Sequence, residues 1–169
     1  LTGALHADEL QTKAVRLALE NRLAVISGGP GTGKTTTVVL ILECLLEENK
    51  DLSIYLAAPT GKATSRMRQS IVAMTQGPIA GNFPRMQEVV SEETAQGAPR
   101  RVEEHTIHKW LVKKTPSGEK PSADNPLPAD VLIIDEASMV DIHSAARLFE
   151  GVSESPRVII LGDKHPLAA

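Results

Sequence analysis

Four short apolar runs, each separated from the next by stretches with helical spacing, set the rhythm of the chain. They are Arg22 to Ser27 (RLAVIS), Ser53 to Ala58 (SIYLAA), Asp130 to Asp135 (DVLIID) and Arg157 to Gly162 (RVIILG). Continuous apolar runs of this length read as strands buried on both faces. Asp8 to Asn21 reads as a helix, with Leu10, Ala14, Leu17 and Ala18 on one face and Asp8 as its cap. Lys34 to Glu48 is a largely apolar helix. Pro59 ends the second strand, and Thr60 to Met74 returns to helix. Gln76 to Val102 is weakly patterned, with a short helix near Arg85 to Glu93. His105 to Lys113 reads as a short helix, Thr115 to Pro128 as an exposed loop, and Ile142 to Phe149 as helix. Strands buried on both faces and alternating with helices predict an α/β fold in three layers, α/β/α, around a mostly parallel sheet. Ligands of such sheets bind at the carboxyl ends of the strands.

Composition narrows this picture. At 169 residues the chain suits one domain, spanning residues 1–169. Aromatic residues make up 2%, so the core must be aliphatic. The net charge of −3 gives no global basic field, and any nucleic-acid contact must be local. Cys44 is the single cysteine, which excludes a disulfide framework and a cysteine zinc site and fits a reducing cytoplasm. No run approaches the roughly 20 apolar residues that span a bilayer, and no signal-peptide pattern opens the chain. No membrane role is expected, and the expected location is cytoplasmic. A first residue of Leu1 and an abrupt end suggest a piece of a longer protein.

The turn after the first strand carries the sharpest chemistry. GGPGTGKT, Gly28 to Thr35, completes the pattern G-x-x-x-x-G-K-[ST] between a strand and a helix. Glycines let backbone N–H groups close around a polyphosphate, and the helix presents its positive end to it. The nucleotide-binding set is Gly28, Gly29, Pro30, Gly31, Thr32, Gly33, Lys34, Thr35 and Thr36. Lys34 reaches the β/γ-phosphates and Thr35 ligates Mg²⁺. A ligand-free glycine turn is the bland alternative. Asp135 and Glu136 follow the third apolar run and face that loop across the sheet edge. Asp135 is the second metal-holding group, and Glu136 orients or deprotonates the attacking water. An acid pair that merely satisfies a helix dipole is the alternative here. Together the motifs point to nucleoside triphosphate hydrolysis with Mg²⁺; ATP is the expected nucleotide from the resemblance given below.

Two further stretches suggest what hydrolysis drives. Pro59-Thr60-Gly61-Lys62 offers a hydroxyl, an open backbone and a positive charge at a sheet edge, which suits a sugar-phosphate chain. A capped helix start explains the same residues equally well. HTIHKWL, His105 to Leu111, reads as an amphipathic helix with Ile107, Trp110 and Leu111 in the core. A hydroxyl and an imidazole pairing with a base edge, or Trp110 stacking on a base, is the alternative. A zinc reading of His105 and His108 lacks further ligands at suitable spacing.

GGPGTGKTTT, AAPTGKA, TIHKWL, NPLPADVLIIDEASMVD and RVIILGDK, in this order, resemble the RecD family, the alpha subunit of exodeoxyribonuclease V among superfamily 1 DNA helicases. The likeness covers Leu10 to Leu167. It implies a RecA-like P-loop fold and a motor that moves 5′ to 3′ on single-stranded DNA in the repair of DNA ends. It implies single-strand contacts at Pro59, Thr60, Gly61, Lys62, Thr106 and His108, and an adenine contact at Gln11, for which a plain exposed helix residue is an equal alternative. It implies as partners the other exodeoxyribonuclease V subunits, one of which holds the nuclease site, and a second motor domain of the same chain that supplies arginine to the γ-phosphate. Without that second domain, the expectation is nucleotide binding with very slow hydrolysis and no unwinding. A coupling turn at Gly162, Asp163 and Pro166 departs from the family, which carries glutamine where Pro166 stands. A related stand-alone or conjugative helicase, or a non-hydrolysing nucleotide-binding scaffold, are the competing readings.

Overall fold

The computed structural model describes residues 9–27, 33–93, 101–152 and 156–162. Five strands form one sheet: β1 (Leu23–Ser27), β2 (Ile54–Ala58), β3 (Val102–Thr106), β4 (Val131–Ile134) and β5 (Arg157–Gly162). Their order is β1-β5-β4-β2-β3, and every pairing is parallel. Six helices cover it: α1 (Glu9–Glu20), α2 (Lys34–Glu48), α3 (Gly61–Gln76), α4 (Pro84–Glu93), α5 (Ile107–Val112) and α6 (Ile142–Glu150).

The layering follows from the direction of travel. From β1 to β2 to β3 the chain moves one way along the sheet, and α2, α3 and α4 pack on one face. From β3 to β4 to β5 it moves back, and α5 and α6 pack on the other. Right-handed crossovers require this exchange of faces. Helix α2 lies between sheet, α1, α3 and α4, so it is apolar nearly all round: Val38 to Leu42, Leu45 and Leu46 are buried. Strand β2 is buried along its whole length between β4 and β3.

Four expectations need correction. The sheet has a fifth strand, β3, where a loop and the start of a helix were expected. It is an edge strand of mostly polar residues (VEEHT), so it shows no apolar run. It takes His105 and Thr106, and α5 begins only at Ile107. Second, β1 is buried on one face only: Leu23 and Val25 are 57% and 68% exposed, because among the described residues no helix covers that side of the edge. Third, the face of α1 turned to the core carries Ala14, Val15, Ala18 and Leu19, while Leu10 and Leu17 are exposed. Fourth, the segment from Thr115 to Pro128 is not simply an exposed loop. Leu127 is buried and its N–H donates to the Gly151 carbonyl at 2.7 Å, while Asn125 Nδ2 donates to the buried Thr115 hydroxyl at 2.7 Å. The expected cap of α1, Asp8, lies outside the described residues.

Candidate nucleotide and nucleic-acid site

Parallel strands put all their carboxyl ends on one rim. Ser27 at the end of β1 pairs with Gly162 at the end of β5, and Ile134 at the end of β4 pairs with Ala57 on β2 and Ile160 on β5. Ala58 pairs with Thr106 on β3. Reading along the rim, the order is phosphate-loop strand, Gly162, Asp135–Glu136, Pro59–Lys62, Thr106–His108. Residues from five separate stretches of sequence are thereby gathered along one edge. Gly28, Gly29, Pro30, Gly31 and Thr32 of the loop, and Asp163 and Pro166 of the expected coupling turn, lie outside the described residues.

The end of the phosphate loop is described. Gly33 takes φ 79° and ψ 25° as the cap of α2, a left-handed conformation that glycine adopts at no steric cost. Its carbonyl accepts from the Thr37 N–H (3.0 Å), the Thr37 hydroxyl (3.1 Å) and Gln11 Nε2 (3.3 Å). Lys34 and Thr35 occupy the first turn of α2, where the helix end favours anions. Thr36 is turned toward α3, its hydroxyl 3.9 Å from Met74 Sδ.

Lys34, Thr35 and Asp135 line one cleft of about 100 Å³. An ammonium, a hydroxyl and a carboxylate in one cleft form a set that suits a phosphate with a hard, oxygen-preferring cation such as Mg²⁺. Asp135 is tied to the sheet by its N–H, which donates to the Ala57 carbonyl at 2.9 Å. Its Oδ1 accepts the Glu136 N–H at 2.8 Å. Glu136 has φ 51°, the one positive φ of a non-glycine residue among the described residues. That left-handed turn costs roughly 1–2 kcal/mol and ends the strand abruptly, leading into a 3-10 turn at Ala137–Met139.

The same cleft is lined by Arg66 and Ser70 of α3, which sequence reasoning missed. The available signal was spacing: Lys62, Arg66 and Ser70 recur every four residues along one side of a helix that starts at the rim.

The nucleic-acid candidates resolve into caps and exposed groups. Thr60 caps α3, its hydroxyl accepting the Ala63 N–H at 3.2 Å. Thr106 caps α5 in the same way with the Lys109 N–H at 3.2 Å. Each hydroxyl oxygen is therefore used by the fold, while its proton remains able to donate outward. Gly61 is exposed, with open space where a Cβ would stand, and Lys62, His108 and Lys109 are exposed beside it or across from it. Because β2 and β3 are neighbours, the two stretches form one basic strip rather than two separate sites.

Trp110 belongs to the core. It is fully buried, donates its indole N–H to the Leu56 carbonyl at 2.9 Å and stacks on Tyr55 with ring centroids 4.3 Å apart. Burial, with smaller effects of Glu103 and Asp130, pushes the Tyr55 hydroxyl up to about 12. His105 meets the Trp110 ring edge-on at 4.7 Å, and its Nε2 lies 3.5 Å from Glu103. Burial first, then Lys113 and Lys109, hold His105 below its ordinary pKa. His105 and His108 do not converge with further ligands: among the described residues no group of three or more His, Cys, Asp or Glu is placed to hold a metal ion.

A family model described as an AAA domain matches residues 11–168. The chain is 38% identical over 162 residues to the RecBCD enzyme subunit RecD of Haemophilus influenzae, covering 94% of this chain and 24% of that protein. It is 33% identical over 147 residues to the ATP-dependent RecD2 DNA helicase of Deinococcus radiodurans, covering 87% of this chain and 16% of that protein. It therefore spans a quarter or less of the length of these relatives. Among solved structures, the UvsW helicase of bacteriophage T4 superposes with a TM-score of 0.65 at 16% identity, covering 95% of this chain and 54% of that one. That likeness is one of fold. Among the described residues no helix is long and apolar enough to cross a membrane.

Proposed function

We propose, from the premise that the chain belongs to the AAA domain family and carries the RecD motif series, that it is the ATP-driven motor domain of a DNA helicase subunit. One observation carries the reading: Lys34, Thr35 and Asp135 share a cleft on the same rim as the exposed strip of Gly61, Lys62 and His108. A triphosphate at one end of a rim and a sugar-phosphate strand at the other can be read by neighbouring strands of a single sheet.

The chain's own groups account for the chemistry. The first turn of α2 and the Lys34 ammonium hold the phosphate charge. Thr35 and Asp135 would hold Mg²⁺, which when bound neutralises charge on the phosphates. Glu136, turned off the strand by its left-handed backbone, accepts the proton of the attacking water. Arg66 adds a second cation to the cleft. Residues 1–169 form one motor domain, and a second motor domain closes over the nucleotide and supplies arginine. The other exodeoxyribonuclease V subunits are the proposed partners, single-stranded DNA the track and the cytoplasm the location. A stand-alone helicase is the alternative setting for the same motor; the likeness to a protein named an ATP-dependent DNA helicase supports the motor in either setting.

The test uses the longer protein. Replacing Glu136 by Gln should retain ATP binding and lower single-strand-stimulated ATP turnover by about 10²–10⁴-fold. Turnover equal to the parent would remove Glu136 from the mechanism. Turnover unchanged by Lys34→Ala would point to a non-hydrolysing scaffold. The present chain alone should show no strand displacement, and unwinding by it would contradict the need for a second domain.

A further inference from the structure

Gln11 stands apart from the rest of the site. It lies on the first turn of α1, 22 residues before the glycine it touches, and reaches the phosphate loop from outside it. Its Nε2 donates to the Gly33 carbonyl at 3.3 Å. That nitrogen also stands 2.6 Å from where a Cβ on Gly33 would be, so the side chain lies flat against the loop's last glycine. Gly33 is the point of reversal. Its left-handed backbone turns the loop into α2 and thereby aims Lys34 and Thr35. The remaining donors on its carbonyl both come from Thr37 inside α2. Among the described hydrogen bonds, Gln11 is thus the tie between this reversal and an element outside the loop and its helix.

We infer that Gln11 is a positioning residue for the phosphate loop: its amide fixes the Gly33 reversal, so polyphosphate binding depends on it even when the ligand has no base. The inference rests on the nucleotide reading above and goes beyond a role in recognising adenine. A residue that only read the base would be indifferent to a ligand made of phosphates alone. A residue that sets the loop affects every ligand the loop holds, and by the same factor.

The experiment compares Mg-ATP with Mg-tripolyphosphate on this chain by isothermal titration. Gln11→Met keeps the side chain's length and removes the donor; Gln11→Ala is the second variant should the first fold poorly. One lost hydrogen bond should weaken both ligands alike by about 5-fold, leaving their affinity ratio unchanged. Urea unfolding run alongside separates this from a merely structural role, which would move the midpoint and leave the affinity of the folded chain intact. Weakened ATP with unchanged tripolyphosphate would overturn the inference and make Gln11 a base contact. No change in either ligand would also overturn it. A parent chain that bound neither ligand would defeat the nucleotide reading, and the inference with it.

Discussion

The phosphate-loop helix is docked to α4 through one buried carboxylate, and its removal has a predictable cost. Glu43 of α2 is 6% exposed. Its Oε1 accepts the Arg85 N–H at 3.0 Å and its Oε2 the Met86 N–H at 2.9 Å, so a side chain of one helix caps the first turn of another. The Arg85 guanidinium also approaches, at 3.4 Å, but its side chain is 41% exposed. Charge-assisted bonds to backbone donors contribute about 1.5–3 kcal/mol each, whereas an exposed ion pair contributes about 0–1 kcal/mol. The two N–H groups should therefore dominate. Glu43→Gln keeps shape, retains one bond as a neutral one and turns an amide NH₂ toward the other donor. It should cost about 2 kcal/mol, which for a domain of this size lowers the melting temperature by about 4–8 °C. Arg85→Ala should cost no more than about 1 kcal/mol. Urea unfolding followed by circular dichroism reads both. Near-equal costs, or a Glu43→Gln variant within about 0.5 kcal/mol of the parent, would mean that the two N–H groups do not dominate the docking of α2 on α4.

Three further predictions follow from the rim and the face behind it. His105 has its folded pKa held below its ordinary value of 6.5, so the unfolded chain takes up its proton first. The stability contribution of neutral His105 is full above that value and falls as pH drops below it; urea midpoints at pH about 7.5 and about 5.5 should differ in that direction, and His105→Gln should flatten the difference. Trp110 emission should be unchanged by saturating single-stranded DNA, because the ring is buried against Tyr55; a shift or quench would return it to the nucleic-acid surface. Lys62→Ala should weaken oligothymidine binding by the longer protein and reduce the slope of log affinity against log salt by about 0.7, and an unchanged slope would take Lys62 off the phosphate backbone.

The parts of the fold that were legible share a physical trait. Strands β2, β4 and β5 were readable because burial on most sides demands continuous apolar sequence, as in IYLAA and VLII. Strand β3 was not, because at the sheet edge only Val102 is fully buried and VEEHT can stay polar. The stripe on α1 was misplaced by trusting leucines. Leu10 and Leu17 are exposed, while smaller Ala14 and Ala18 face the core, where α1 comes close to α2. Of the groups lining the cleft, Lys34, Thr35 and Asp135 were legible because a glycine turn into a helix and an acid at a strand end are local patterns. Arg66 was not: the four-residue spacing of Lys62, Arg66 and Ser70 marks one side of α3, but only the docking of α3 against α2 brings that side to the cleft. Thr60 and Thr106 show the reverse limit. The stretch at Thr60 fitted both a cap and a nucleic-acid contact, Thr106 was expected only as a nucleic-acid contact, and the structure uses both hydroxyl oxygens as caps.

If Lys34, Thr35 and Asp135 form a nucleotide cleft, this chain binds Mg-ATP, which calorimetric titration reads. Saturable binding of one nucleotide per chain is expected, weakened at least about 10-fold by Lys34→Ala through loss of a charged phosphate contact. Binding of equal strength in parent and variant, or no binding by a folded parent, would contradict it.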